Sequence, residues 1–125
     1  MMRLFLIAGA LAGGLSVALG AFATHALAKT FDARSLTIFE TAARYQMYHA
    51  LALVLVGVLG KQSERAEIPL TIAGLGFSLG IVLFCGSLYA LSATSAKWLG
   101  AIAPLGGLAF LIGWLGLAIA SWRFE

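Results

Sequence analysis

The chain has 125 residues, 62% of them hydrophobic and 10% charged, whereas an ordinary soluble domain is about 25% charged. A soluble fold of this length cannot hide so much apolar surface, which excludes a soluble enzyme. The net charge of +3 comes from basic residues scattered singly at the ends of apolar runs, with no basic cluster or aromatic platform, which excludes a nucleic-acid partner.

A helix needs about 20 apolar residues to cross a bilayer. Runs free of Asp, Glu, Lys and Arg hold 25 residues between Arg3 and Lys29, 16 between Arg44 and Lys61, 29 between Glu67 and Lys97, and 25 between Lys97 and Arg123. Spans are expected at about 4–27, 40–60, 68–93 and 98–122. Backbone polar groups in lipid have to be satisfied within each helix. The expectation is an all-α membrane protein: one domain over 1–125, four transmembrane helices in an antiparallel bundle, and a short interfacial helix before the second span.

In the first span Gly9 and Gly13 make a GxxxG pair, a spacing that lets helices approach closely in lipid. Arg3 and the triplet Ala21-Phe22-Ala23 also fit a cleavable leader. The apolar run from Leu4 exceeds the 7–15 residues of a leader core, so it reads as a retained span. From Ala28 to Arg44, Phe31, Leu36, Phe39 and Ala43 recur at helical spacing. Thr37 and Glu40 have capping-box spacing, and Glu40 and Arg44 form a favourable (i, i+4) pair. The second helix can therefore start earlier than its apolar run, between Ser35 and Arg44.

Pro69 suits the first turn of the third helix. That span carries Gly76, Gly80 and the sole cysteine, Cys85, read as a small apolar packing residue. Ser92 to Lys97 forms a tight turn. Pro104, followed by Gly106 and Gly107, predicts that the fourth helix kinks or starts late, leaving carbonyls near Gly100 in need of partners. Ala109 and Gly113 add a small-xxx-small pair.

The polar residues inside the spans carry what chemistry there is. His25 lies four residues before Lys29 and His49 five residues after Arg44. Both are expected about 6–8 Å inward of those cations, at one end of the bundle, where they could face each other. Tyr45, Gln46, Ser87, Tyr89, Ser92 and Pro104 are expected at the same end. Intramembrane ionisable residues are functional candidates by default. Two histidines could hold a transition metal or haem iron, or relay protons with Tyr45 and Gln46. The plainer reading is a hydrogen-bonded cluster that fixes helix register. No metal site or cofactor is expected, since only two strong ligands exist per chain. No GxSxG, HExxH, P-loop or GxGxxG occurs, so no catalytic residues are expected. The first span also lacks the carboxylate on which small proton-coupled multidrug exporters depend.

Several segments resemble one family. Gly20-Ala21-Phe22-Ala23-Thr24-His25-Ala26-Leu27 resembles a G-A-F-G-A-H-A-L signature, and Tyr45-Gln46-Met47-Tyr48-His49-Ala50-Leu51-Ala52-Leu53 matches Y-Q-x-x-H-A-L-A-L. Leu83-Phe84-Cys85-Gly86-Ser87-Leu88-Tyr89 is similar to L-F-S-G-S-L-Y. Ala103-Pro104-Leu105-Gly106-Gly107 resembles T-P-x-G-G, with Gly113-Trp114 following. These belong to the small integral-membrane "domain of unknown function 423" family, which includes eukaryotic transmembrane protein 256. The resemblance implies a helical protein of the bacterial cytoplasmic membrane or a related organelle membrane, and no activity.

The expected role is a non-enzymatic small structural or accessory subunit of a membrane complex, docking a homo-oligomeric or other membrane partner through glycine-rich faces. The alternatives are a small transporter or channel with a polar site around His25 and His49, and a metal- or haem-binding protein using the same histidines. Lys and Arg divide evenly, with Arg3, Lys61, Arg65 and Arg123 on one side and Lys29, Arg34, Arg44 and Lys97 on the other. The free terminal amine and the partial embedding of Arg44 place both termini in the cytoplasm.

Overall fold

A computed structural model describes residues 1–124. It holds α1 (Met2–His25), α2 (Ala33–Leu59), α3 (Glu67–Gly80), α4 (Gly86–Thr94) and α5 (Leu99–Ser121). A π-helical turn, Ile81–Cys85, joins α3 to α4. The two helices and this turn make one crossing, so four helical segments are long and apolar enough to span a membrane: Met2–Lys29, Ala33–Leu59, Glu64–Thr94 and Leu99–Ser121.

These correspond to the four expected spans, with one boundary moved. The second helix starts at Ala33, not near residue 40. Asp32 is its N-cap and accepts from the Ser35 amide at 2.7 Å. Thr37 does not cap; its hydroxyl donates back to the Ala33 carbonyl at 2.8 Å, inside the helix. A short polar side chain that can bond the backbone before the first turn is a better cap than one already within it. The expected interfacial helix is therefore the first turns of α2 itself, preceded by a single 3₁₀ turn, Leu27–Lys29.

The helices pack as two close pairs, α1 with α2 and α3 with α5, and α2 further meets α3 and α4. Absent side chains set these distances. A Cβ on Gly9 would lie 2.7 Å from the Ala50 carbonyl and 2.8 Å from the Val54 nitrogen, and one on Gly57 would meet the backbone of Leu6. In the second pair, Gly76 lies against the backbone of Ala109 and Gly113, Gly80 against the Phe110 ring, and Gly113 against the Phe77 ring. Gly13 is looser, its nearest neighbours being Ala50 and Met47 at 3.8 and 3.9 Å. All five glycines picked from the sequence thus pack within the bundle.

Phe5, Leu53, Val56, Leu70, Phe77 and Phe110 form the centre of the core. Pro104 lies within an uninterrupted α5, five residues from its start. This early position leaves few preceding carbonyls to lose, and the helix neither breaks nor starts late there.

Candidate functional site

The structure divides the expected polar cluster into three parts. His25 is exposed in the last turn of α1. His49 is buried, seventeenth of the 27 residues of α2. Gln46 reaches Ala12 across the α1–α2 interface, and His25 lies thirteen residues further along α1, roughly 20 Å at 1.5 Å per residue. The two histidines therefore neither share a depth nor face each other. The reason is the early start of α2, which moves every residue of that helix deeper than charge counting from Arg44 implied. A metal or haem held by both histidines of one chain is excluded by this separation. Among the described residues, no three His, Cys, Asp or Glu side chains group closely enough to hold a metal ion.

The second part is a buried polar bridge. Gln46 donates to the Ala12 carbonyl at 2.8 Å and accepts from the Tyr89 hydroxyl at 2.7 Å. Ser16 donates to the Ala43 carbonyl at 2.6 Å. These bonds tie α1, α2 and α4 in one register. Ser92 and Ser87 take no part: each donates within its own segment, to Tyr89 and Phe84 carbonyls at 2.7 and 3.0 Å.

The third part surrounds His49. Its Nδ1 lies 2.7 Å from the Tyr45 carbonyl, and the Trp114 indole N–H donates to its Nε2 at 3.1 Å. A carbonyl only accepts and an indole only donates. Nδ1 therefore carries the proton, Nε2 is the acceptor, and the ring is the neutral Nδ1–H tautomer. The Phe110 ring stacks on it, with centroids 3.5 Å apart and planes 7° apart. Phe110 is twelfth of the 23 residues of α5, so this assembly sits near the middle of the membrane.

On the lipid side of it opens a groove of about 550 Å³ between α2 and α5. Tyr45, His49, Phe84, Pro104, Phe110 and Trp114 line it. Tyr45 meets His49 and Pro104 here, while Gln46 and Tyr89 bond to each other and toward α1. No side-chain hydrogen bond among the described residues uses the Tyr45 hydroxyl. Phe84 enters the groove from the π turn, a device frequent at functional sites. Nothing in the composition marks this turn, and Trp114 is legible in the sequence only as part of a family motif. The available signal was a tryptophan in the middle of a span, since tryptophan ordinarily sits at the membrane surface.

Residues 19–107 match the family described as protein of unknown function (DUF423). A UPF0382 membrane protein of Staphylococcus haemolyticus is 44% identical over 123 residues, covering 98% of each chain. The UPF0382 membrane protein YwdK of Bacillus subtilis is 42% identical over 123 residues, covering 98% of this chain and 99% of its own. No solved structure matches.

Proposed function

Because the chain belongs to the DUF423 family of membrane proteins, we propose that it is a non-enzymatic protein of the cytoplasmic membrane serving as a small accessory subunit of a membrane assembly. Its docking face is the groove between α1 and α2. One observation supports this reading above others. Arg44 lies eleven residues beyond Ala33, some ~17 Å into the helix, yet it is exposed on the outside of the bundle. Ionisable groups inside a span normally face protein or a water-filled cavity. Arg44 instead borders an outer groove of about 320 Å³ together with Glu40, Ser16, Gly20, Ala21 and Thr24. Gly20 has open space where a Cβ would stand, so a second helix can approach closely there. A partner in that groove would shield Arg44 from lipid and offer it an acceptor.

The experiment is a native mass measurement after extraction in mild detergent. The expected species is heavier than the 13.1 kDa monomer and reverts to monomer with Arg44→Leu. A monomeric wild type without partner contradicts the reading.

With Arg44 inside the span, Arg3, Lys61, Arg65 and Arg123 outnumber Lys29, Arg34 and Lys97. The positive-inside bias then puts both termini in the cytoplasm. A cysteine at Gln62 should react with an impermeant thiol reagent only in inverted vesicles; reaction in intact cells contradicts that orientation.

The transporter reading rests on His49 at mid-depth. It requires a liposome flux that His49→Ala abolishes, and a flux that survives this substitution ends it.

A further inference from the structure

We propose that the groove between α2 and α5 is a binding site for a lipid-soluble quinone, a neutral planar ring with carbonyl acceptors on an isoprenoid tail. Depth restricts the occupant first. The groove lies level with Phe110, at the middle of α5, roughly 15 Å from either surface of the hydrocarbon core. Phospholipid headgroups stay at the surface, and water-soluble metabolites do not partition to this depth. A molecule that brings polar atoms there has to be uncharged and carried by an apolar tail.

Shape and polarity restrict it further. A volume of about 550 Å³ falls in the range of small-molecule sites, which pair apolar and aromatic walls with a few convergent polar groups. Here the walls are the rings of Phe84, Phe110 and Trp114, a setting for offset stacking against a flat ring. The polar groups are not equivalent. Both nitrogens of His49 are engaged, one with the Tyr45 carbonyl and one with Trp114. The Tyr45 hydroxyl has no partner among the described residues, although its ring lies 5.0 Å from Phe84, at the edge of the groove. A phenol in hydrocarbon without a partner is costly. The free polar group on the groove is therefore an O–H donor, and the ligand group that answers it is a carbonyl acceptor. A plain acyl chain or isoprenoid tail fills the volume and leaves the donor unanswered. The proposal is one of binding only and does not depend on the accessory-subunit reading.

The test uses the full chain in nanodiscs of one zwitterionic phospholipid, carrying Trp98→Phe and Trp122→Phe. Trp114 is then the sole tryptophan of the original three, and it borders the groove. A short-tailed benzoquinone should quench Trp114 saturably. Tyr45→Phe, which removes one exposed oxygen and leaves the packing intact, should weaken binding roughly five- to tenfold. Gly107→Leu should abolish saturation, since Gly107 lines the groove and meets only Phe84 at 4.0 Å. An isoprenoid hydrocarbon of the same tail should not compete. Quenching that rises linearly without saturation overturns the proposal. So does binding unchanged by Tyr45→Phe, and so does equal competition by the tail alone. Helical circular dichroism identifies a variant that fails to fold, and Tyr45→Phe then decides alone.

Discussion

At the scale of the residue, His49 shows how a titratable side chain is held in one state by its neighbours. The Tyr45 carbonyl dictates a proton on Nδ1, and Trp114 occupies Nε2. Nitrogen NMR on the two histidines should find the Nδ1–H tautomer for His49, and an Nε2–H signal contradicts the geometry. Trp114→Phe removes the donor and leaves Nε2 unpaired, at an expected cost of about 1 kcal/mol in the folding equilibrium. Asp32 supplies a second residue-scale prediction, outside the spans. The Ser35 amide, and secondarily its hydroxyl, hold the Asp32 carboxyl below its ordinary value of 3.8. The folded form therefore has the lower pKa, so its contribution is complete above the unfolded value and disappears as pH falls through the folded one. Amide protection at Ala33 to Ser35, relative to intrinsic exchange, should fall below about pH 3.8, and Asp32→Asn should remove that pH dependence while keeping the cap. Protection that stays constant in the wild type as pH falls contradicts it. The residues of the site were partly legible from the sequence. Tyr45, Gln46, His49 and Tyr89 stood out as polar groups in apolar runs. Their pairing did not, because which face a residue presents depends on where its helix begins, and Thr37 has capping-box spacing although Asp32 is the cap.

At the scale of the element, the glycines of α1 give a contrast within one helix. Gly9→Ala forces a Cβ against the Ala50 carbonyl and the Val54 nitrogen, which should cost about 1–3 kcal/mol. Gly14 has open space at the same position, so Gly14→Ala should stay within about 0.5 kcal/mol of wild type. Reversible denaturation in mixed micelles measures both, and equal effects contradict the assigned α1–α2 interface. The four spans could be read from charge-free runs because lipid admits so few alternatives. The π turn at Ile81–Cys85 could not. It is a local change of hydrogen-bond register with no compositional mark, and it occurs where the Phe84 backbone packs onto Gly106 of α5.

At the scale of the whole molecule, the fold is two tight helix pairs joined along α2, with one outer groove beside α1 and another beside α5. α1 is the least covered of the four spans, and the groove it shares with α2 is bordered by Arg44 and Glu40. The sequence placed Arg44 at the edge of a span. Counted from Ala33, it lies eleven residues into α2, and its exposure on the outer groove is what motivates the proposed partner. The most direct measurement is photo-crosslinking in intact membranes with a benzophenone side chain at Ala21, in the groove, against one at Leu115, on the exposed face of α5. The account predicts a discrete protein adduct from Ala21 that Arg44→Leu removes, and only lipid adducts from Leu115. Lipid adducts alone from Ala21, or the same protein adduct from both positions, would contradict it.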